Sequence, residues 1–143
     1  MAQYLTYEEY IELGGELDEV TFAKYEFDAE AIIDWYTFDR LQSETELSDK
    51  VKMCMYRLID LISIKYNVLT TSNPNQNSTD GTTGAIIASQ ENDGVATTFV
   101  TLSVENLMTM CKNEIEDIIK FNLRNAVNSL GRKLLYRGYY PGE

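Results

Sequence analysis

Histidine is absent from the chain, and with it go the commonest general base, the Ser-His and Cys-His nucleophile pairs and the commonest metal ligand. Cysteine is scarce: Cys54 and Cys111 stand alone, with neither a CxxC pair nor disulfide-dense spacing. Each falls among apolar residues at helical spacing, which predicts reduced, buried thiols. Bases are few, 12 Lys and Arg against 23 Asp and Glu for a formal charge of −11. A free-standing binder of nucleic-acid backbones needs a basic face and is therefore disfavoured. No run approaches the roughly 18 apolar residues of a membrane span. The start, MAQYLTYEEY, has neither the basic nor the apolar region of a secretory leader, so a protein assembled in the cytosol without membrane contact is expected.

P-loop, GxGxxG, HExxH, EF-hand and GxSxG patterns are all missing. What remains for catalysis is pairs of carboxylates, Glu26 with Glu30 or Asp34 with Asp39, which in principle bind Mg²⁺ or act as acid and base. Acids at such spacing usually sit on a solvated helix face, so no enzyme, no metal and no cofactor are expected.

The 143 residues that are present are 44% hydrophobic and include ten tyrosines, enough to fold as one domain and too apolar for an acidic disordered chain. Charge is unevenly placed. Residues 1–47 hold thirteen acids against Lys24 and Arg40 and so carry the whole net −11, whereas residues 118–142 hold Lys120, Arg124, Arg132, Lys133 and Arg137 and no acid.

Local patterns predict a mainly α fold of about four helices, two of them long, with one inserted β-hairpin and an extended C-terminal tail. Thr6-Tyr7-Glu8-Glu9 is a capping box opening a short helix that Gly14-Gly15 closes. A second helix from Thr21 to Tyr36 buries Phe22, Tyr25, Ala29, Ile32, Ile33 and Tyr36, leaving Glu26, Asp28, Glu30 and Asp34 on the opposite, solvated face. A second capping box at Ser43–Glu46 opens a long core helix whose stripe runs from Leu47 to Tyr66, with Met53, Leu61 and Ile64 off it. A flexible Asn/Ser-rich loop follows at 71–83, then a hairpin at 85–100 turning at Asp93-Gly94. Ser103 caps a last helix of about 26 residues, some 39 Å long, that reaches Leu130. Residues 131–143 form a Leu- and Tyr-rich tail, expected to be disordered alone and to order on a partner.

Tyr4-Leu5-Thr6-Tyr7-Glu8-Glu9-Tyr10, Leu13-Gly14-Gly15, the stretch from Phe22 through Ile32-Ile33-Asp34 to Tyr36-Thr37-Phe38-Asp39-Arg40-Leu41, the turn from Ser89 to Gly94, and Leu134-Leu135-Tyr136-Arg137-Gly138 together resemble the head-tail connector (adaptor) proteins of tailed phages infecting Gram-positive bacteria. The Asn-rich stretch from Asn67 to Thr83 is longer than in that family. The resemblance implies a structural protein of the virion neck. About a dozen copies would form a ring under the portal, bound to the portal protein and to the next neck or tail-completion protein, with genomic DNA passing through without specific binding. It implies a helical connector domain over 1–130 and a docking tail over 131–143. Leu134, Leu135, Tyr136, Arg137, Gly138, Tyr139 and Tyr140 would then contact the portal or a neighbour, and Glu26, Glu30 and Asp34 would face the lumen. The competing expectation is an acidic interaction module, such as a DNA mimic or an anti-host factor.

Overall fold

Thr6 opens the first helix with extended backbone. Its hydroxyl accepts the Glu9 N–H at 3.3 Å while the Glu9 carboxylate accepts the Thr6 N–H at 3.0 Å, which closes the capping box read from the sequence. This helix, α1 (Tyr7–Glu12), gives way at Gly14, whose φ of 99° suits glycine alone. The second, α2 (Glu19–Thr37), starts two residues before the predicted position because the Asp18 carboxylate accepts the Thr21 N–H and serves as its cap. It ends on two successive left-handed residues that are not glycine, Phe38 (φ 56°) and Asp39 (φ 58°), both of whose N–H groups return to the Asp34 carbonyl.

The third helix, α3 (Asp49–Thr71), begins later than Ser43 predicts. Inside the expected box, the Glu44 carboxylate accepts the N–H and hydroxyl of Ser129. Strands β1 (Ala85–Gln90) and β2 (Thr97–Thr101) pair antiparallel, Ala85 opposite Thr101 and Gln90 opposite Thr97, with a register shift between Ile87 and Ser89. The last helix, α4 (Val104–Leu123), has 20 residues and would span about 30 Å. Its expected extension to Leu130 is corrected: the Asn128 side-chain carbonyl accepts the N–H groups of Leu130 and Arg132, Gly131 turns at φ 72°, and Val127 bridges to Lys133.

The structure is a computed structural model that describes residues 3–71, 85–90, 97–101 and 104–143. The Asp93-Gly94 turn and residues 72–83 of the expected loop lie outside the described residues. The described chain is mainly helical, with four helices, and none of them is long and apolar enough to cross a membrane. It divides into two compact units, Met1–Ile62 with Glu114–Glu143, and Ser63–Asn113.

The first unit holds the main core, where Leu5, Phe22, Ile33, Met55, Leu58, Ile59, Ile119, Leu123 and Leu134 are all enclosed. Each such side chain contributes about 1.5–3 kcal/mol through removal from water. Tyr7, Tyr10, Phe22 and Tyr56 form a ring cluster, with Tyr10 and Phe22 centroids 4.8 Å apart, that seats α1 on α2 and α3. Cys54 is fully buried there as a free thiol, and burial pushes its pKa up to about 12. Cys111, also free and buried, belongs to the second unit.

Candidate interaction surface

The two left-handed residues after α2 reverse the chain so that Arg40 points inward, and Arg40 is 6% exposed. A buried guanidinium needs acceptors for five N–H groups. The C-terminal tail supplies all of them. Nη1 donates to the carbonyls of Lys133, Leu134 and Tyr136 at 3.1, 3.1 and 2.6 Å, and Nη2 donates to Gly138 at 2.7 Å. Nε meets Glu143 Oε1 at 2.9 Å, and Nη2 meets the other carboxylate oxygen at 3.3 Å. The Phe38 and Tyr140 rings lie against the guanidinium with centroids at 5.1 and 5.0 Å. Hydrogen bonds from Arg40, and then from the Tyr140 N–H, hold the Glu143 carboxyl down to about 2.

This arrangement corrects the expectation of a free tail. Leu134 is 1% exposed within the core, Leu135 packs against its edge, and Tyr140 is half-buried with its hydroxyl accepting the Lys133 N–H. Gly138 passes so close to the Tyr136 ring that a Cβ would sit 2.6 Å from it. These residues hold the tail to its own helices. Three of the predicted contact residues, Tyr136, Arg137 and Tyr139, are exposed, Tyr139 at 91%. They form a short hook on a backbone whose Tyr136 and Gly138 carbonyls are bonded by Arg40. Leu135 and Arg137 also wall a groove of about 760 Å³ with Ala31, Trp35 and Phe38 from the outer side of α2 and its end, and with Lys120 of α4.

The acids of α2 are also placed differently from the sequence reading. Glu26 and Asp34 are buried and Glu30 is half-buried. They run down one line of the helix at i, i+4 and i+8 beneath the segment that leads into α1. The Tyr4 N–H donates to Glu26 at 3.2 Å, the Tyr4 hydroxyl donates to Asp34 at 2.5 Å, and Gln42 Nε2 donates to the other Asp34 oxygen at 3.2 Å. Burial first, then repulsion from Glu30, pushes Glu26 up to about 7; burial and the charge of Asp34 raise Glu30 as well. Burial and the bond to Asp34 raise the Tyr4 phenol, which stays protonated. Glu26 and Asp34 therefore have structural partners and no lumen-facing surface. No group of three His, Cys, Asp or Glu among the described residues is arranged to hold a metal ion.

With Glu26 and Asp34 turned inward, the outer face of α2 is largely apolar: Val20, Phe27 and Trp35 are 69%, 71% and 75% exposed, with Ala23, Lys24 and Ala31 between them and Phe38 just beyond. Sequence reasoning missed this face and missed Arg40. Two signals were available. Phe27 and Trp35 fall on neither half of a simple amphipathic pattern, and Arg40 is one of only two bases among the first 47 residues.

No family model matches the chain, and neither the curated proteins nor the solved structures hold a significant match.

Proposed function

We propose that the chain is a head-tail connector (adaptor) of a tailed bacteriophage, a structural protein of the virion neck that forms a ring of about a dozen copies under the portal, as the resemblance in its sequence implies. The observation that carries the portal-docking part is the hook. Tyr136, Arg137 and Tyr139 are exposed on a backbone immobilised by a buried arginine, and Tyr and Arg on a rigid base make efficient hot spots because little ordering entropy is lost on binding. The portal protein is the partner for the hook, and the next neck or tail-completion protein would meet the ring on its other side.

The acid surplus supports a lumen that passes DNA without holding it, now through acids that are exposed, such as Glu8, Glu12, Glu16 and Glu19, in place of Glu26 and Asp34. The inward turn of Glu26 and Asp34 equally removes carboxylates that a DNA mimic would need on its surface. The test is co-sedimentation of the purified chain with its portal. Arg137→Glu combined with Tyr139→Ala, both at exposed positions, is expected to leave the thermal melt unchanged and to abolish co-sedimentation. Wild-type binding by that variant would overturn the docking assignment.

A further inference from the structure

Among the described residues nothing covers the apolar face of α2, and its side chains are matched to one another in reverse order. An antiparallel partner helix related by a two-fold axis at the level of residue 29 brings Phe27 of one copy against Ala31 of the other, Val20 against Phe38 at the helix end, and Lys24 within one residue of the level of Trp35. The bulky ring meets the small side chain, which lets the backbones approach. Lys24, the only cation on α2, meets the face of the most exposed aromatic side chain of the helix. Glu19 at the start of one helix arrives where Arg137 of the other copy lines the groove beside Phe38 and Asp39. A parallel pairing would set Lys24 against Lys24 and align the two helix dipoles unfavourably.

Charge complementarity extends to what is missing from the face. Glu26 and Asp34, which would make two copies of α2 repel, are turned into the subunit and bound to Tyr4 and Gln42, while Glu30 and Asp28 are half-buried, Asp28 one helical turn from Lys24. The exposed parts of Val20, Phe27, Trp35 and Phe38 amount to on the order of 500 Å² of apolar surface per copy, which with a polar rim comes near the roughly 800 Å² per partner of a standard interface.

We infer that the outer face of α2 is a self-association surface, and that two copies of the free chain pair through it as an antiparallel, two-fold dimer. The pairing itself is argued from the α2 face alone; its place as a form that precedes ring assembly rests on the connector reading. A two-fold contact uses the same patch on both partners and cannot close a ring, so the dimer is a resting form of unassembled chain that has to open before ring contacts replace it.

Trp35 is the only tryptophan in the chain and lies inside the proposed contact, so it reports on the pairing directly. Sedimentation velocity and Trp35 fluorescence are read on the purified chain alone from about 1 µM to about 1 mM, a range that brackets the weak affinity expected of an interface this small. A monomer-to-dimer transition is expected, with the Trp35 emission moving to shorter wavelength in step. Phe27→Asp, at an exposed position, should melt as wild type does and stay monomeric throughout. Lys24→Glu should weaken dimerisation about tenfold through loss of the cation–ring contact. A monomer with constant emission up to about 1 mM, open-ended association, or a dimer that Phe27→Asp leaves intact would each overturn the inference. None of these outcomes depends on portal binding, so failure here and failure of the connector reading are separately visible.

Discussion

Arg40→Met retains a long unbranched side chain and removes every donor of the guanidinium. The change leaves the carbonyls of Lys133, Leu134, Tyr136 and Gly138 without that partner and leaves the Glu143 carboxylate only the Tyr140 N–H and Arg132. Each charge-assisted bond is worth about 1.5–3 kcal/mol in isolation, but these share one cation and part of the tail relaxes into water once released. The expected loss is therefore about 3–5 kcal/mol, the range for breaking one partner of a buried ionic network. At roughly 3 °C per kcal/mol for a chain of this size, the melting temperature should fall by about 9–15 °C by far-UV circular dichroism, and the urea midpoint should fall with it. Arg40→Lys should recover only part of this, because one ammonium cannot serve acceptors spread around a planar fork. Arg137→Met, on the exposed neighbour of the same charge, should change stability by less than about 0.5 kcal/mol. If the Arg40 and Arg137 variants melt within about 2 °C of each other, the clamp is not what holds the tail and the reasoning is refuted.

Glu26→Gln tests the inward acids through pH. Its carboxyl titrates at about 7 when folded and near 4.5 when unfolded, so the native state keeps a proton that the unfolded state has already released between those values. Stability from this group falls as pH rises from 4.5 to 7 and stays lower above it; the glutamine variant should match wild type at pH 4 and exceed it by about 2 kcal/mol at pH 8 in urea titrations. A variant less stable than wild type at pH 8 would contradict the shift. Leu134→Ala should cost about 2–4 kcal/mol as a core cavity, measured the same way, where a docking residue on a free tail would cost almost nothing. Cys54 should resist thiol reagents in native buffer and react only at the unfolding rate, since burial both hides the sulfur and keeps it protonated.

Local patterns were legible wherever neighbours in sequence decide the outcome. The Thr6 capping box, the buried positions Phe22, Ala29 and Ile33, and the stripe from Val51 to Ile62 all depend on contacts that periodicity encodes. The readings that failed turn on partners far along the chain. Glu26 and Asp34 look solvated until the N-terminal segment brings the Tyr4 N–H and hydroxyl to them, 22 and 30 residues away. The stripe of α4 runs on to Leu130 in sequence, yet Asn128 and Gly131 divert the chain, and a turn built on one side-chain carbonyl leaves little trace in hydrophobic spacing. The hook of Tyr136, Arg137 and Tyr139 was read from composition; what fixes it in place, Arg40, lies about a hundred residues upstream and could not be paired with it by pattern alone.

The reversal at Phe38 and Asp39 commits a charged side chain to the interior before any of its acceptors has been synthesised. The carbonyls and the carboxylate that receive Arg40 lie 93 to 103 residues later, so during translation the first three helices are on hand while the guanidinium waits without a seat. A chain that stops short of Tyr136 leaves that cation either buried unpaired or pulling its own turn open. A copy lacking the segment from Lys133 to Glu143 is therefore expected to open around Arg40, to lose the hook, and to be cut by proteases faster than one that carries it.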